Sequence, residues 1–257
     1  SQAAIVLEPG KEYLVENRLG ALAQREGFPT LSAFIGKMRS DKTVNGLHHK
    51  TIDALTTNET LFFRDFSPFE ALRKLVIPKF LETRAESRQL NIWSAACSTG
   101  QEPYSIAMLL RQHFPQLDSW RVNILATDLS PTVLKAAAEG SYSQFEVNRG
   151  LPAPYLIKFF TKQGERWIIK DEIKKMVQFR PMNLIQPWPI MPPCDLVFIR
   201  NVMIYFDVET KKTILKKIRT CLLPHGYLFL GTAETTMNLD PGFQPVTLDK
   251  ATAYSFA

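Results

Sequence analysis

Cysteine is scarce in this chain and poorly placed for cooperation: Cys97, Cys194 and Cys221 are far apart and form no C-x-x-C pair. That excludes a disulfide framework and supplies no zinc-ligand pattern, so no metal and a reducing, cytoplasmic setting are expected. Long apolar runs are missing as well. No stretch approaches the roughly 20 residues of a membrane-spanning helix. Residues 1–10 lack the basic segment and hydrophobic stretch of an export signal, so neither membrane insertion nor secretion is expected. There is no G-x-G-x-x-G run, no internal repeat and no low-complexity tract, which argues against the common dinucleotide site, a solenoid and a disordered chain.

What the sequence does hold is material for a core. Hydrophobic residues make up 45% of the 257 and charged residues 22%, with 17 Phe, a globular composition that needs no covalent staples. Thirty-one Lys and Arg against 25 Asp and Glu leave a formal charge of +6. Such a field favours an anionic partner, whether nucleic acid, membrane surface or acidic protein, and an ordinary solvated surface accounts for it equally well.

The first part reads as helices. Val15, Leu19 and Leu22 recur at helical spacing, and Leu31, Phe34, Ile35 and Met38 form an apolar stripe capped by Thr30. A third helix runs through Leu47, Ile52 and Leu55. Ser67 and Pro68 read as cap and first turn of a fourth, with Phe69, Leu72 and Val76 facing inward until Pro78 interrupts it. From about residue 90 the pattern becomes strand and helix in alternation. Strands are expected over 90–94, 122–126, 195–199 and 227–231, and helices over 103–113, from Ser130-Pro131 to Gly140, and over 209–222, which implies a parallel sheet with helices on both faces. Residues 140–180 interrupt the alternation with a helical patch at 155–160 and β-rich stretches at 167–169 and 176–179. They read as a small inserted subdomain. The tail, 243–256, reads as a closing hairpin around Asp249-Lys250.

In an open parallel sheet, ligands bind beyond the carboxyl ends of the strands, and an acid ending the second strand can hold ribose hydroxyls, a position Asp128 occupies. The first loop, 95–100, is made of small residues and leads into Glu102-Pro103, where a pyrophosphate would meet a carboxylate instead of free amides. S-adenosylmethionine, which has no phosphate and carries a sulfonium and an ammonium, suits that loop. A packing turn or another nucleotide site would produce the same strand-loop-helix unit.

Five blocks narrow the choice. Residues 91–107 (NIWSAACSTGQEPYSIA), 57–64 (TNETLFFR), 126–128 (ATD), 179–184 (FRPMNL) and 199–206 (IRNVMIYF) resemble, in order and spacing, the motifs of the CheR family of chemotaxis receptor methyltransferases. The resemblance covers nearly the whole chain. Gln101 departs from it, standing where an acid is common in the family and leaving Glu102 as the matched carboxylate. It implies an α/β chain in which a small N-terminal all-helical receptor-recognition domain with its linker, 1–76, precedes a Rossmann-like S-adenosylmethionine methyltransferase domain, 77–257. The inserted β-subdomain lies at about 141–180. It further implies that Asn58, Thr60, Arg64, Glu102, Asp128, Asn183, Leu184, Asn201 and Val202 hold S-adenosylmethionine and its product S-adenosylhomocysteine, with Arg64 and Tyr205 as catalytic residues. Without the resemblance, Asn58 and Thr60 read as caps, Arg64 as a surface charge, Asn201 as a turn residue and Tyr205 as a core aromatic.

The implied reaction is methyl esterification of glutamate side chains on the cytoplasmic methylation helices of chemoreceptors. Lys37, Arg39, Lys42, His48, His49 and Lys50 form a basic cluster suited to an acidic helix, and a solvated helix face explains the same charges. Adjacent His48 and His49 point in different directions and make no metal site. Some family members grip a pentapeptide at the receptor C-terminus through a Gly-rich loop of the insert. Here residues 160–167 pass from helix to strand with Gly164 as the sole glycine, so no pentapeptide tether is expected. A nucleic-acid methyltransferase is a rival reading, but the strand at 195–199 is followed by Arg200-Asn201-Val202-Met203 and not by an Asn/Asp-Pro-Pro-aromatic loop, so no nucleic acid is expected. A non-catalytic cofactor sensor is the other rival, opposed by Arg64 and Tyr205.

Overall fold

The computed structural model describes residues 12–41, 46–55 and 58–256, and the chain divides into two compact units, Ser1–Glu59 and Thr60–Ala257. In the first, helices α1 (Glu12–Arg25), α2 (Leu31–Ser40) and α3 (Gly46–Leu55) enclose Leu19, Leu22, Ala23 and Phe34, as the apolar spacing predicts. Thr30 caps α2, its side chain accepting from the Ala33 N–H at 3.1 Å. Two lysines of the expected basic cluster are neutralised locally: Lys50 pairs with Glu26 at 2.7 Å and Lys37 with Asp41 at 2.6 Å. Lys42 and the His49 side chain lie outside the described residues, as does Thr57 of the linker motif.

The expected boundary at residue 76 moves to Glu59–Thr60. The reason is packing: Phe62, Phe63, Phe69, Leu72 and Val76 belong to the core of the second unit. Their helix also runs further than expected. Helix α4 (Ser67–Ala71) passes through a π-helical turn, Leu72–Val76, into α5 (Ile77–Thr83), so Pro78 does not end it. Proline lacks an N–H and crowds the carbonyl four residues back, and a widened turn in the preceding residues accommodates both defects. Ser67 opens α4, but Phe66 holds the cap position and no side chain caps it.

The sheet is built from β1 (Gln89–Ala95), β2 (Arg121–Asp128) and, later in the chain, β6 (Val177–Pro181), β7 (Cys194–Ile199), β8 (Leu222–Leu230), β9 (Gln244–Leu248) and β10 (Ala251–Ser255). Its order is β6-β2-β1-β7-β8-β10-β9, with β10 antiparallel to both neighbours. Helices α6 (Gln101–His113), α7 (Pro131–Glu139) and α11 (Val208–Cys221) make the crossovers. Strand β7 is buried at every position, as a central parallel strand must be.

The insert consists of β3 (Ser141–Ser143), α8 (Gln144–Asn148), α9 (Ala153–Phe159), β4 (Phe160–Gln163), β5 (Arg166–Ile169) and α10 (Asp171–Lys174), with an antiparallel sheet ordered β3-β5-β4. Two expectations change here. The β-rich stretch near 176–179 is β6, which pairs in parallel with β2 and belongs to the main sheet. Helix α9 is followed not by β5 but by β4, which turns into β5 through Gly164 at φ 58°.

Candidate active site

Parallel strands put the loops after β6, β2, β1 and β7 side by side at one edge of the sheet. In-register pairs fix this arrangement: Asp128 lies opposite Pro181, Ala95 opposite Thr127, and Ala95 opposite Ile199. Asn183, Asp128, Glu102 and Asn201 are thereby brought to a common edge from positions scattered over the sequence.

The loop after β1 follows an irregular path, with Ala96, Ser98 and Gly100 at φ 53°, 50° and 90°. At Gly100 a Cβ would stand 3.0 Å from the Ala137 Cβ and 3.2 Å from the Tyr104 ring, so the bend requires glycine for space as well as backbone freedom. Asp128 ties this loop to the next. One carboxylate oxygen accepts from the Ser98 N–H at 2.8 Å and the other from the Ser130 N–H at 3.0 Å. Burial, then the Asp128 and Glu102 carboxylates, push the Cys97 thiol well up, so this buried cysteine stays neutral and is no nucleophile.

Glu102, in the first turn of α6, is buried and doubly bonded: Oε1 accepts from the Ser94 hydroxyl at 2.8 Å and Oε2 from Arg200 at 3.0 Å. Arg200 has no role in the sequence reading, yet its guanidinium also donates to the Arg64 carbonyl at 3.0 Å and to Asp65 Oδ2 at 2.6 Å. The one sequence signal for it was position: a charged residue directly after a fully buried strand must find partners, because an unpaired buried charge costs several kcal/mol.

Arg64 sits in a strained loop. Phe63, Asp65 and Phe66 have φ of 49°, 65° and 47°, and each such non-glycine residue costs about 1–3 kcal/mol. The compensation is visible. The Phe63 N–H donates to the Ser105 hydroxyl at 3.0 Å, while the Phe62 ring packs edge-on against Tyr142 at 5.0 Å and Phe160 at 5.8 Å. Phe63 meets Phe69 at 5.1 Å and Tyr155 at 4.8 Å. The insert, which supplies Tyr142, Tyr155 and Phe160, thus braces the loop that presents Arg64.

Beyond β7, Asn201 adopts φ 58° and turns the chain into a short 3-10 turn, Met203–Tyr205. Glu234, another residue without a sequence signal, organises that turn. Its carboxylate accepts from the N–H groups of Gly231 at 2.6 Å, Asn201 at 2.8 Å and Ile204 at 3.2 Å. Val202 and Tyr205 are half-buried and joined by a Tyr205 N–H to Val202 carbonyl bond of 3.2 Å. Beyond β6, Asn183 Oδ1 accepts from the Ile185 N–H at 3.1 Å, and the carbonyl of buried Leu184 accepts from Trp188 and Lys217. Thr60 begins the same unit and is half-buried, whereas Asn58 falls on the other side of the division, exposed near the end of the N-terminal unit.

A family model described as the S-adenosylmethionine-binding domain of CheR methyltransferase matches residues 58–252. The chain belongs to the CheR methyltransferase family. Among curated relatives, chemotaxis protein methyltransferase 1 of Pseudomonas aeruginosa is 41% identical, over 97% of this chain and 92% of its own. The chemotaxis protein methyltransferase of Vibrio parahaemolyticus is 39% identical over 99% and 92%, and that of Borreliella burgdorferi 37% over 90% and 83%. The CheR cofactor, S-adenosylmethionine, fits the residues present. The edge holds the Asp128 carboxylate and the Glu102 carboxylate, the latter shared with Arg200, and the acid in the first turn of α6 opposes a phosphate.

Proposed function

We propose that this protein transfers the methyl group of S-adenosylmethionine to glutamate carboxylates on the cytoplasmic methylation helices of chemoreceptors, releasing S-adenosylhomocysteine and leaving glutamate methyl esters. The observation that carries this reading is the convergence of Arg64, Glu102, Asp128, Asn183 and Asn201, from five separated motifs, on one edge of the sheet.

When bound, S-adenosylmethionine supplies a methyl group on a positively charged sulfur. In the proposed assignment Asp128 accepts the ribose hydroxyls. Glu102 faces the ammonium, and Asn183, Leu184, Asn201 and Val202 shape the remaining walls with Thr60. The accepting glutamate has a reference pKa of about 4.3 and is ionised at neutral pH, so no general base is required. The protein's task is placement. Orienting two reactants accounts for roughly 7–11 kcal/mol of barrier in favourable cases. Arg64 matches a carboxylate with its planar fork, and Tyr205 narrows the approach or donates a hydrogen bond. Desolvation of both ions assists, because charge is neutralised as the ester forms.

Transfer of radiolabelled methyl to a chemoreceptor cytoplasmic fragment, followed by alkali, tests the reaction class: esters release volatile methanol, whereas N-methylated products do not. A stable label after alkali would remove the carboxylate as acceptor. Asp128→Ala should weaken S-adenosylhomocysteine binding at least about tenfold, since each hydrogen bond to a charged group contributes about 1.5–3 kcal/mol. Calorimetry on the folded variant with unchanged affinity would take Asp128 out of the site.

Receptor recognition belongs, in this proposal, to the N-terminal helices in the cytoplasm, with neither nucleic acid nor membrane insertion involved. No helix among the described residues is long and apolar enough to cross a membrane. The β4–β5 hairpin closes through a short turn at Gly164 in place of a long Gly-rich loop, and the proposal of methylation without a tether rests on that loop length. Titration of a receptor C-terminal pentapeptide should give no heat, and micromolar binding would reverse that conclusion.

A further inference from the structure

We propose that Arg200 is a positioning residue that sets the Arg64 loop and the Glu102 carboxylate in a single frame. The inference rests on the roles given to Arg64 and Glu102 above. Arg200 is the first residue after β7, and its side chain is only 2% exposed. Three acceptors from two other elements meet on it: Glu102 Oε2 of α6 at 3.0 Å, and from the Arg64 loop the Arg64 carbonyl at 3.0 Å and Asp65 Oδ2 at 2.6 Å. The Phe69 ring lies 6.0 Å from the guanidinium carbon.

The shape of the side chain matters to this arrangement. A guanidinium presents donors in a rigid plane, so bonds to Glu102 and to the Arg64 loop fix the distance between them, whereas an ammonium satisfies the same charges without fixing it. The loop needs such a constraint, because the residues flanking Arg64 on both sides hold left-handed conformations that cost about 1–3 kcal/mol each and persist only when their surroundings enforce them. Arg200 also occupies part of the Glu102 acceptor capacity, so any cation reaching Glu102 meets a carboxylate whose orientation is already set. Arg200 therefore acts on the acceptor side through the Arg64 backbone and on the cofactor side through Glu102. Its own guanidinium need touch neither ligand.

The test is a double-mutant cycle on the full chain, read by initial rates of methyl transfer to a chemoreceptor cytoplasmic fragment and by S-adenosylhomocysteine calorimetry. Arg200→Lys should melt as a folded protein and lose about a hundredfold in kcat at saturating cofactor, the effect of displacing a reacting group by about 1 Å. In an Arg64→Ala background the same change should cost less than about threefold in kcat, because the acceptor-side group it positions is gone and saturating cofactor masks the Glu102 arm, which shows instead as weaker S-adenosylhomocysteine binding in both backgrounds. Additive losses in the cycle, or wild-type kcat in folded Arg200→Lys, overturn the proposal while leaving the site assignment intact. Wild-type kcat in Arg64→Ala alone overturns both. Should Arg200→Lys unfold, Asp65→Asn takes its place in the cycle. Its carboxylate is 28% exposed, so folding should survive. A drop of roughly tenfold in kcat, absent when Arg64 is Ala, supports the frame, and unchanged kcat refutes it.

Discussion

Gly150→Ala should both destabilise the catalytic unit and remove most of its activity. Gly150 has φ 86°, and a Cβ there would be driven into the carbonyl oxygen of Phe62, with the Phe62 carbonyl carbon at 3.2 Å. A left-handed alanine costs about 1–2 kcal/mol, and inserting a methyl against backbone typically adds 1–3 kcal/mol. The sum, about 2–5 kcal/mol, corresponds to a fall in melting temperature of roughly 5–15 °C for a unit of this size. The loop that must yield is the one carrying Arg64. A shift of about 1 Å there lowers turnover by about a hundredfold. Thermal melts and initial rates on the same preparation check both parts, and a variant that melts and turns over like wild type would show that the insert does not brace the loop.

Arg64→Lys should lower turnover by about ten- to a hundredfold at saturating cofactor, with little change in melting temperature. An ammonium keeps the charge but cannot reproduce paired, coplanar donors to a carboxylate. Since the Arg64 backbone is held through its carbonyl by Arg200 and through the Phe63 N–H by Ser105, the substitution leaves the loop in place. A loss confined to kcat marks an interaction made in the transition state, whereas a higher KM with unchanged kcat marks one made equally in the ground state. Wild-type turnover would assign Arg64 to structure alone.

The alternating sheet elements were legible because period and punctuation are local properties. The Thr30 cap and the Ser130-Pro131 start of α7 appear where the residues placed them, and Ser130 Oγ accepts from the Val133 N–H at 3.2 Å. Pro78 misled for a related reason: proline's local penalty is real, but burial of Leu72, Val76 and Ile77 outweighs it and a π turn absorbs the misfit. The stretch at 176–179 is β-forming by residue type, but its place in the main sheet depends on pairing with β2, a contact between distant residues.

For the site, the motif residues could be named from the chain, and their chemistry followed from residue type. Carboxylates suit a cation, arginine suits a carboxylate, and small residues suit a tight loop. What holds those residues could not be read that way. Arg200 joins Glu102, 98 residues away, to Arg64, 136 residues away, and Glu234 gathers the N–H groups of Gly231, Asn201 and Ile204. Gly150 is glycine because of a carbonyl that only folding brings near it. By itself the sequence determined the alternation of strands and helices and the sheet class, both of which depend on residue type and short-range spacing. Tertiary structure alone decided the division of the chain, the brace on the Arg64 loop and the buried charge frame, since those depend on which distant groups share a low-dielectric interior.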